Sequence, residues 1–531
     1  MKKNLFTRVM SLALVMLMVV SLAACGGSKP AAPAAPAAPA APAAPAAPAA
    51  PAAPAEVKYK EKVVIGNSAM FTNLNPPATN TQANFWVFSM THNTLLNCNF
   101  ATFDITPEVA ESWTVSEDGK VYTFNLRKDV KFHDGSPLTA ADVLFTFENA
   151  GKSSYQAPKL GFVESVEAPD DYTVKITLSQ PSSDFLININ EPSFSLISKA
   201  AVEKNGDEGY KMGSGPYMMT DWMPDDHVTV VRNENYWGEL AKTKEVEFRK
   251  IGEASARVIA LQTGEIDVCM SVPAIEAKHV EEADNCVLVN VPSNNLCYLG
   301  LHTKSETNPI LKDVKVRQAI NYATDHEALV IAMTEGYGAE PYGVIPPNVK
   351  GYSEINAIKY DVEKAKALLA EAGYPNGITL SMTTNNASWP GLYEVLQAMW
   401  AEAGITLELD TDDATIRLEH LRAKQYDALM TNINFGIINS DLRVVWHSSS
   451  GSARTELKDP WVDEMLDKTL AEVDETKRNE MYKELSQYLN DKAAMVPLYI
   501  NCQLNGTGKN VEGIIFSPYV RHDFSGIAVA Q

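Results

Sequence analysis

The sequence predicts a mixed α/β protein in which a β-rich region precedes a C-terminal half built from alternating strands and helices. Three observations predict it. Between Asp361 and Asp410, amphipathic helical stretches alternate with short apolar runs at βαβ spacing. Between Ser112 and Leu126, two strand-like runs flank an Asp118-Gly119 turn. The chain has 531 residues, 45% of them hydrophobic, enough for a large core in more than one domain.

The N-terminus reads as an export address. Three bases lie within Met1 to Arg8, and an apolar stretch from Val9 to Ala24 follows, broken only by Ser11 and Ser21. A membrane-spanning helix needs about 20 apolar residues, so this shorter run suits a signal-peptide core over residues 1–24. Leu22-Ala23-Ala24-Cys25-Gly26 then resembles the bacterial lipobox. That resemblance implies a lipidated Cys25, whose two acyl chains hold a soluble protein on a membrane where one chain would let it go. An uncleaved anchor and an ordinary secreted chain are the alternatives.

Residues 25–56 form a spacer in which Ala-Ala-Pro repeats from Pro30 to Pro54 without a glycine, which excludes a collagen helix. Proline removes amide donors and fixes φ, leaving an extended stalk of roughly 3.1 Å per residue.

The net charge of −21 argues against a nucleic-acid partner. All four charged residues before Glu56 are basic, so the acid excess beyond them is larger still. With Cys25 set aside, Cys98, Cys269, Cys286, Cys297 and Cys502 form an odd set without a CxxC pair, which indicates neither a zinc site nor a full disulfide framework. One bridge among Cys269, Cys286 and Cys297 stays open.

From Val57 onward the elements follow local rules. Lys62 to Gly66 is a short apolar strand, and Phe71 to Pro76 opens a loop. Thr139 with Asp142 three residues later makes a capping-box-like start for a helix through Val143 and Phe147. Asp361 is an N-cap and Gly373 a C-cap for DVEKAKALLAEA. The spacing then predicts strand Ile378 to Met382, helix Tyr393 to Ala403, strand Ile405 to Asp410, helix Ile416 to Lys424 and strand Tyr426 to Thr431.

Several of these stretches resemble a known family. Ala110-Glu111-Ser112-Trp113, Asp118 to Phe124, Leu126 to Gly135 and Ala141-Asp142-Val143 are similar to the signature region of extracytoplasmic solute-binding proteins of the peptide and nickel branch, which serve ABC importers. Gly213 to Tyr217, Val231 to Trp237, Leu261 to Asp267, Asp313 to Ala323 and Asp361 to Gly373 match further blocks in the same order. The resemblance implies a two-lobed, hinged periplasmic-binding-protein-like fold with a cleft between the lobes. It places lobe one at 57–103, 213–304 and 500–531, a β-rich insertion at 104–212 and lobe two at 305–499.

It also implies the function: capture of peptides, or of a similar small solute, by lobe closure, and delivery to a permease and ATPase complex. A nickel chelate, heme or an oligosaccharide is the alternative solute. A monomer on the outer face of the bacterial cytoplasmic membrane, or its periplasmic side, is expected, with no cofactor. Phe71, Thr72, Asn73 and Leu74 correspond to a cleft loop of the family. Many peptide-binding relatives carry, after a lobe-two strand, an Asp for the peptide ammonium. Here that stretch, Asn432 to Asp441 with Asn434 and Phe435, has Ile near the acidic position. Asp441 either serves with a shifted loop or caps the helix through Leu442 to Trp446. Trp389 either stacks on ligand or packs in its loop.

No enzyme is expected. Gly213-Ser214-Gly215 lacks the spacing of a nucleophile elbow, Gly336 to Pro341 breaks GxGxxG, and HExxH and P-loop motifs are absent. His92, His133, His302 and His447 are scattered and read as ordinary surface or core histidines. A lipid-anchored hydrolase would need a nucleophile and base brought together by folding; a sensor that keeps the fold without delivering cargo is a third reading.

Overall fold

A computed structural model describes residues 57–306, 308–383, 389–410, 419–420 and 423–531. The signal peptide, Cys25, the Ala/Pro spacer and most of the expected helix Ile416 to Lys424 lie outside the described residues.

Two sheets dominate. The seven-stranded sheet runs, edge to edge, through Cys286–Val291, Gln503–Gly508, Val268–Cys269, Lys62–Asn67, Glu245–Lys250, His227–Arg232 and Tyr217–Met223. Lys62–Asn67 is buried along nearly its whole length, as befits a central strand lying parallel to both neighbours. The five-stranded sheet runs through Ile405–Asp410, Ile378–Thr383, Ala428–Asn434, Asn295–Leu301 and Met495–Ile500. Ile378–Thr383 is parallel to both Ile405–Asp410 and Ala428–Asn434, the arrangement that alternating strands and helices predict. Trp400, Leu380 and Leu396 are fully buried in the core beneath it.

A separate four-stranded antiparallel sheet, Ala110–Val115, Val121–Leu126, Thr173–Leu178 and Val163–Asp170, has its own core around Phe124, Val174 and Val143. The Asp118-Gly119 turn closes its first hairpin with Gly119 at φ +70°. The helix Ala140–Lys152 starts where the capping pattern placed it: Asp142 accepts hydrogen bonds from the Thr139 N–H and hydroxyl. Likewise, Asp361 caps Val362–Glu371 through the Lys364 N–H, and Gly373 takes φ +93° beyond it. Boundaries differ elsewhere: the strand expected over Tyr426 to Thr431 spans Ala428–Asn434, and the helix over Tyr393 to Ala403 spans Leu392–Ala401. The helix expected to begin at Asp441 spans Ile438–Trp446 with Ile437 at its N-cap, so Asp441 sits inside its first turn. The buried Asn439 amide explains the earlier start, because it donates to Leu466 O and Thr469 Oγ1 of the neighbouring helix.

The two large sheets are joined by paired strands. Cys286–Val291 of one sheet leads into Asn295–Leu301 of the other, and Met495–Ile500 returns into Gln503–Gly508. The two crossings lie side by side: Val291 is opposite Gln503, Leu296 opposite Ile500, and the Asn501 N–H donates to Asn295 O between them. All five described cysteines are unpaired, and four are buried.

Candidate ligand-binding site

The crossing between the sheets gathers buried polar groups without partners. Asn294 is fully buried, and neither its amide nitrogen nor its amide oxygen has a hydrogen-bond partner among the described residues. Asn434 Oδ1, Gln503 Oε1 and Arg521 Nε share that condition. Each such group costs about 1–3 kcal/mol if left unpaired, so a folded chain keeps several together only where something else satisfies them. Backbone bonds hold the cluster in place: the Asn294 N–H donates to Pro518 O and the Phe435 N–H to Asn294 O.

Asn434 and Phe435 therefore lie beside the crossing, Asn434 opposite Asn295 at the end of its strand and Phe435 fully buried. Asp441 is half-buried, and its carboxylate turns back on its own loop to accept the Gly436 N–H at 2.6 Å. The Phe71 to Leu74 loop is held differently. Phe71 and Leu74 point into the core of the seven-stranded sheet, Phe71 edge-on to Phe88 and Trp222. Asn84 ties the loop down by accepting from the Thr72 N–H and donating to Asn73 O. Trp389 is half-buried against the core of the five-stranded sheet. The structure thus brings Asn434, Phe435 and Asp441 together and leaves the Phe71 loop and Trp389 packed elsewhere.

The sequence reading missed the C-terminal segment that faces them. Tyr519 lies against Gly436 so closely that a methyl group there would run into the ring. Arg521 is stacked over Phe85 at 4.1 Å and Tyr519 at 4.8 Å, and the Trp86 indole donates to Val520 O. An aromatic and an arginine close together near the terminus, Pro518-Tyr519-Val520-Arg521, were the only hint available. Two cavities flank this wall. One, of about 230 Å³, is lined by Arg521, Phe85, Ser89, Glu108 and Asp523, among others. The second, of about 260 Å³, is lined by Gly436 and Ile437 on one side and by Phe103, Asp184 and Ile187 on the other.

Across the second cavity the insertion touches the helix Ile438–Trp446. Asp184 Oδ2 accepts from both the Ser440 hydroxyl, at 2.6 Å, and the Ser440 N–H, at 3.1 Å, while the Ser183 N–H donates to Leu470 O. Carboxyls crowd here. Burial raises Asp184 against the opposing effect of the Ser440 bonds. Burial pushes Asp441 up to about 7, with the Gly436 N–H lowering it and Asp184 and Glu191 raising it further. Burial also raises Glu191, but Lys159, at 2.7 Å, and Arg521, at 3.7 Å, outweigh it and hold that carboxyl below its usual range. The buried histidines are satisfied internally: His92 bonds Thr91 and Tyr210 O and is pushed down to about 3, chiefly by burial, and His133 bonds Gly215 O and is pushed down to about 4 by the same cause.

A carboxyl raised on folding binds its proton more tightly in the folded chain, so its contribution to stability is full below the unfolded value and is lost as pH rises through the folded one. For Asp441 that window runs from about 4 to about 7. Across this range the wild type is expected to lose about 1–2 kcal/mol relative to Asp441→Asn, discounted because water reaches part of the side chain, while the lowered buried histidines act on both proteins alike in the opposite sense. Melting curves of both proteins at several pH values check this; parallel pH profiles would refute it.

Comparison with known proteins agrees with this architecture. The glutathione-binding protein GsiB of Escherichia coli strain K12 is 29% identical over 486 residues, which cover 86% of this chain and 92% of that protein. The probable D,D-dipeptide-binding periplasmic protein DdpA of the same strain is 28% identical over 488 residues, 88% of this chain and 93% of that one. Among solved structures, HbpA2 from Haemophilus parasuis superposes with a TM-score of 0.81 at 28% identity, covering 88% of this chain and 99% of that one. The periplasmic binding protein DppA from Helicobacter pylori, in complex with the peptide STSA, does so with a TM-score of 0.72 at 26% identity, covering 89% and 99%. Residues 104–454, about two thirds of the chain, match the family description of bacterial extracellular solute-binding proteins, family 5. The chain belongs to that family of two-lobed binding proteins.

Proposed function

We propose that this protein is the lipid-anchored receptor of an ABC importer, that it captures peptides between its lobes, and that it presents them to a permease and ATPase complex as a monomer. The observation that carries the reading is the set of buried amide atoms without partners at the crossing between the two sheets: the nitrogen and oxygen of Asn294 and the oxygens of Asn434 and Gln503. A peptide main chain offers alternating donors and acceptors that such groups can meet without reading side chains. The glutathione and D,D-dipeptide named for GsiB and DdpA, and the peptide bound to DppA, support this ligand class.

Lobe one in this reading takes 57–103, 213–294 and 500–531, the insertion takes 104–212, and lobe two runs to 499. We move the boundary from 304 into the crossing because Asn295–Leu301 hydrogen-bonds within the five-stranded sheet. Ligand touching both lobes stabilises the shut arrangement by its differential affinity for it. Asn434, Phe435 and Asp441 belong to the site in this proposal, Asp441 by fixing the Gly436-Ile437 backbone. Phe71, Thr72, Asn73 and Leu74 brace the first-lobe wall from behind, and Trp389 braces the second.

Two experiments test the proposal. Native mass spectrometry of gently purified protein is expected to retain masses in the peptide range; a retained heme, metal chelate or oligosaccharide would replace peptide as the cargo. Wild-type protein expressed in a bacterium is expected to incorporate labelled palmitate and to sediment with membranes, and Cys25→Ala to lose both properties. Membrane association unchanged in Cys25→Ala would overturn the lipid anchor.

A further inference from the structure

The captured solute must be held by more than amides, and one charged group beside the crossing is left under-used. Arg521 carries five N–H donors in a planar fork. Its faces are occupied by Phe85 and Tyr519, which fix the plane of the guanidinium. Along its edge, Nε is buried without a partner, and Glu191 stands 3.7 Å from an amino nitrogen. Glu191 is not a full counter-ion for it, because the same carboxylate oxygen accepts from Lys159 at 2.7 Å. An arginine with clamped faces and an Nε without a partner along its edge is arranged for a bidentate acceptor.

The cavity beside it fits that acceptor. Arg521 is the one Lys or Arg among the residues lining the 230 Å³ cavity. The acids on its walls are already engaged: Glu108 accepts from the Asn93 amide and from the Thr94 N–H and hydroxyl, and Asp523 from the Ser525 N–H. Ser89 and Asn97 add neutral polar groups to the lining. His522, which follows Arg521, already bonds Gln503 and the Ser517 N–H, so it is committed to the wall. An anionic group entering meets one permanent cation with a donor to spare, beside two carboxyls, Glu108 and Asp523, that burial raises toward their neutral forms.

We propose that Arg521 receives a carboxylate of the captured solute, so that the protein selects ligands bearing a free carboxylate over their neutral amides. This rests on the peptide-capture reading and adds the end of the peptide that is recognised. Tyr519 links the two: its ring packs on Gly436 of the second lobe and on the Arg521 guanidinium, so a ligand at Arg521 bears on the contact through which the lobes meet.

The test uses an equimolar pool of random tripeptides to pentapeptides, half with free C-termini and half C-terminally amidated, offered to the ligand-stripped full-length protein and read by native mass spectrometry. Wild-type protein is expected to retain free acids over amides by about tenfold or more. Arg521→Gln is expected to lose that preference while still binding, and Arg521→Lys to keep part of it. Equal retention of acids and amides by the wild type overturns the inference and leaves peptide capture standing; so does an undiminished preference in Arg521→Gln. Retention of no peptide at all removes the capture reading and this inference together. The wild-type ratio decides the matter even if Arg521→Gln fails to fold.

Discussion

The architecture depends on a constraint of chain geometry: the two large sheets are connected by two extended segments that run antiparallel and touch. From Cys286 opposite Gly508 to Gly300 opposite Met495, one ladder passes from the first sheet into the second, interrupted around Pro292 to Asn295 and Asn501 to Cys502 and shifted in register between Cys297 and Tyr298. A ladder resists sliding, because slipping its register would turn buried side chains outward. It bends far more easily at the break, where Asn501 N–H to Asn295 O is the bond that remains. Relative motion of the lobes is thereby reduced to rotation about a short hinge, the device by which few residues absorb a domain closure.

That constraint gives meaning to the groups around it. Atoms near a hinge axis move little when lobes rotate, so Asn294, Asn434 and Gln503 keep their mutual arrangement, whereas contacts farther out must break. Asp184 with Ser440, and Ser183 with Leu470, are such outer contacts, away from the crossing. Their strength opposes any rotation that would part Asp184 from the helix Ile438–Trp446. Asp184 and Asp441 are both raised, with burial the largest cause, so acidity bears on this same contact.

Local physical rules carried much of the fold in advance. The Asp118-Gly119 hairpin, the Asp142 cap, and the Asp361 to Gly373 helix depend on neighbours within a few residues, and each stands where the sequence put it. The parallel strands of the second sheet were legible from the rhythm of apolar runs. What sequence could not reveal depends on distant partners. The start of the Ile438–Trp446 helix was missed because Asn439 is paid for by Leu466 and Thr469 on another helix. Phe71 and Leu74 read as cleft residues, yet the aromatic contacts of Phe71 with Phe88 and Trp222 draw that loop inward. Tyr519 and Arg521 carry no motif, and only folding sets them against Gly436, Phe85 and Glu191.

The charge pattern around the cleft follows a consistent logic. A chain with a net charge of −21 would repel an anionic solute at long range, but that field is screened within about 10 Å at ordinary salt. Recognition is then decided by the few groups inside the screening distance. There, most acids are consumed by backbone and side-chain donors or raised by burial, while Lys159 and Arg521 converge on Glu191 with one carboxylate between them. Of these three groups, Arg521 is the one that lines the cavity. An acidic protein thereby presents one half-buried arginine to the cavity, and at contact distance a single charge outweighs a screened field.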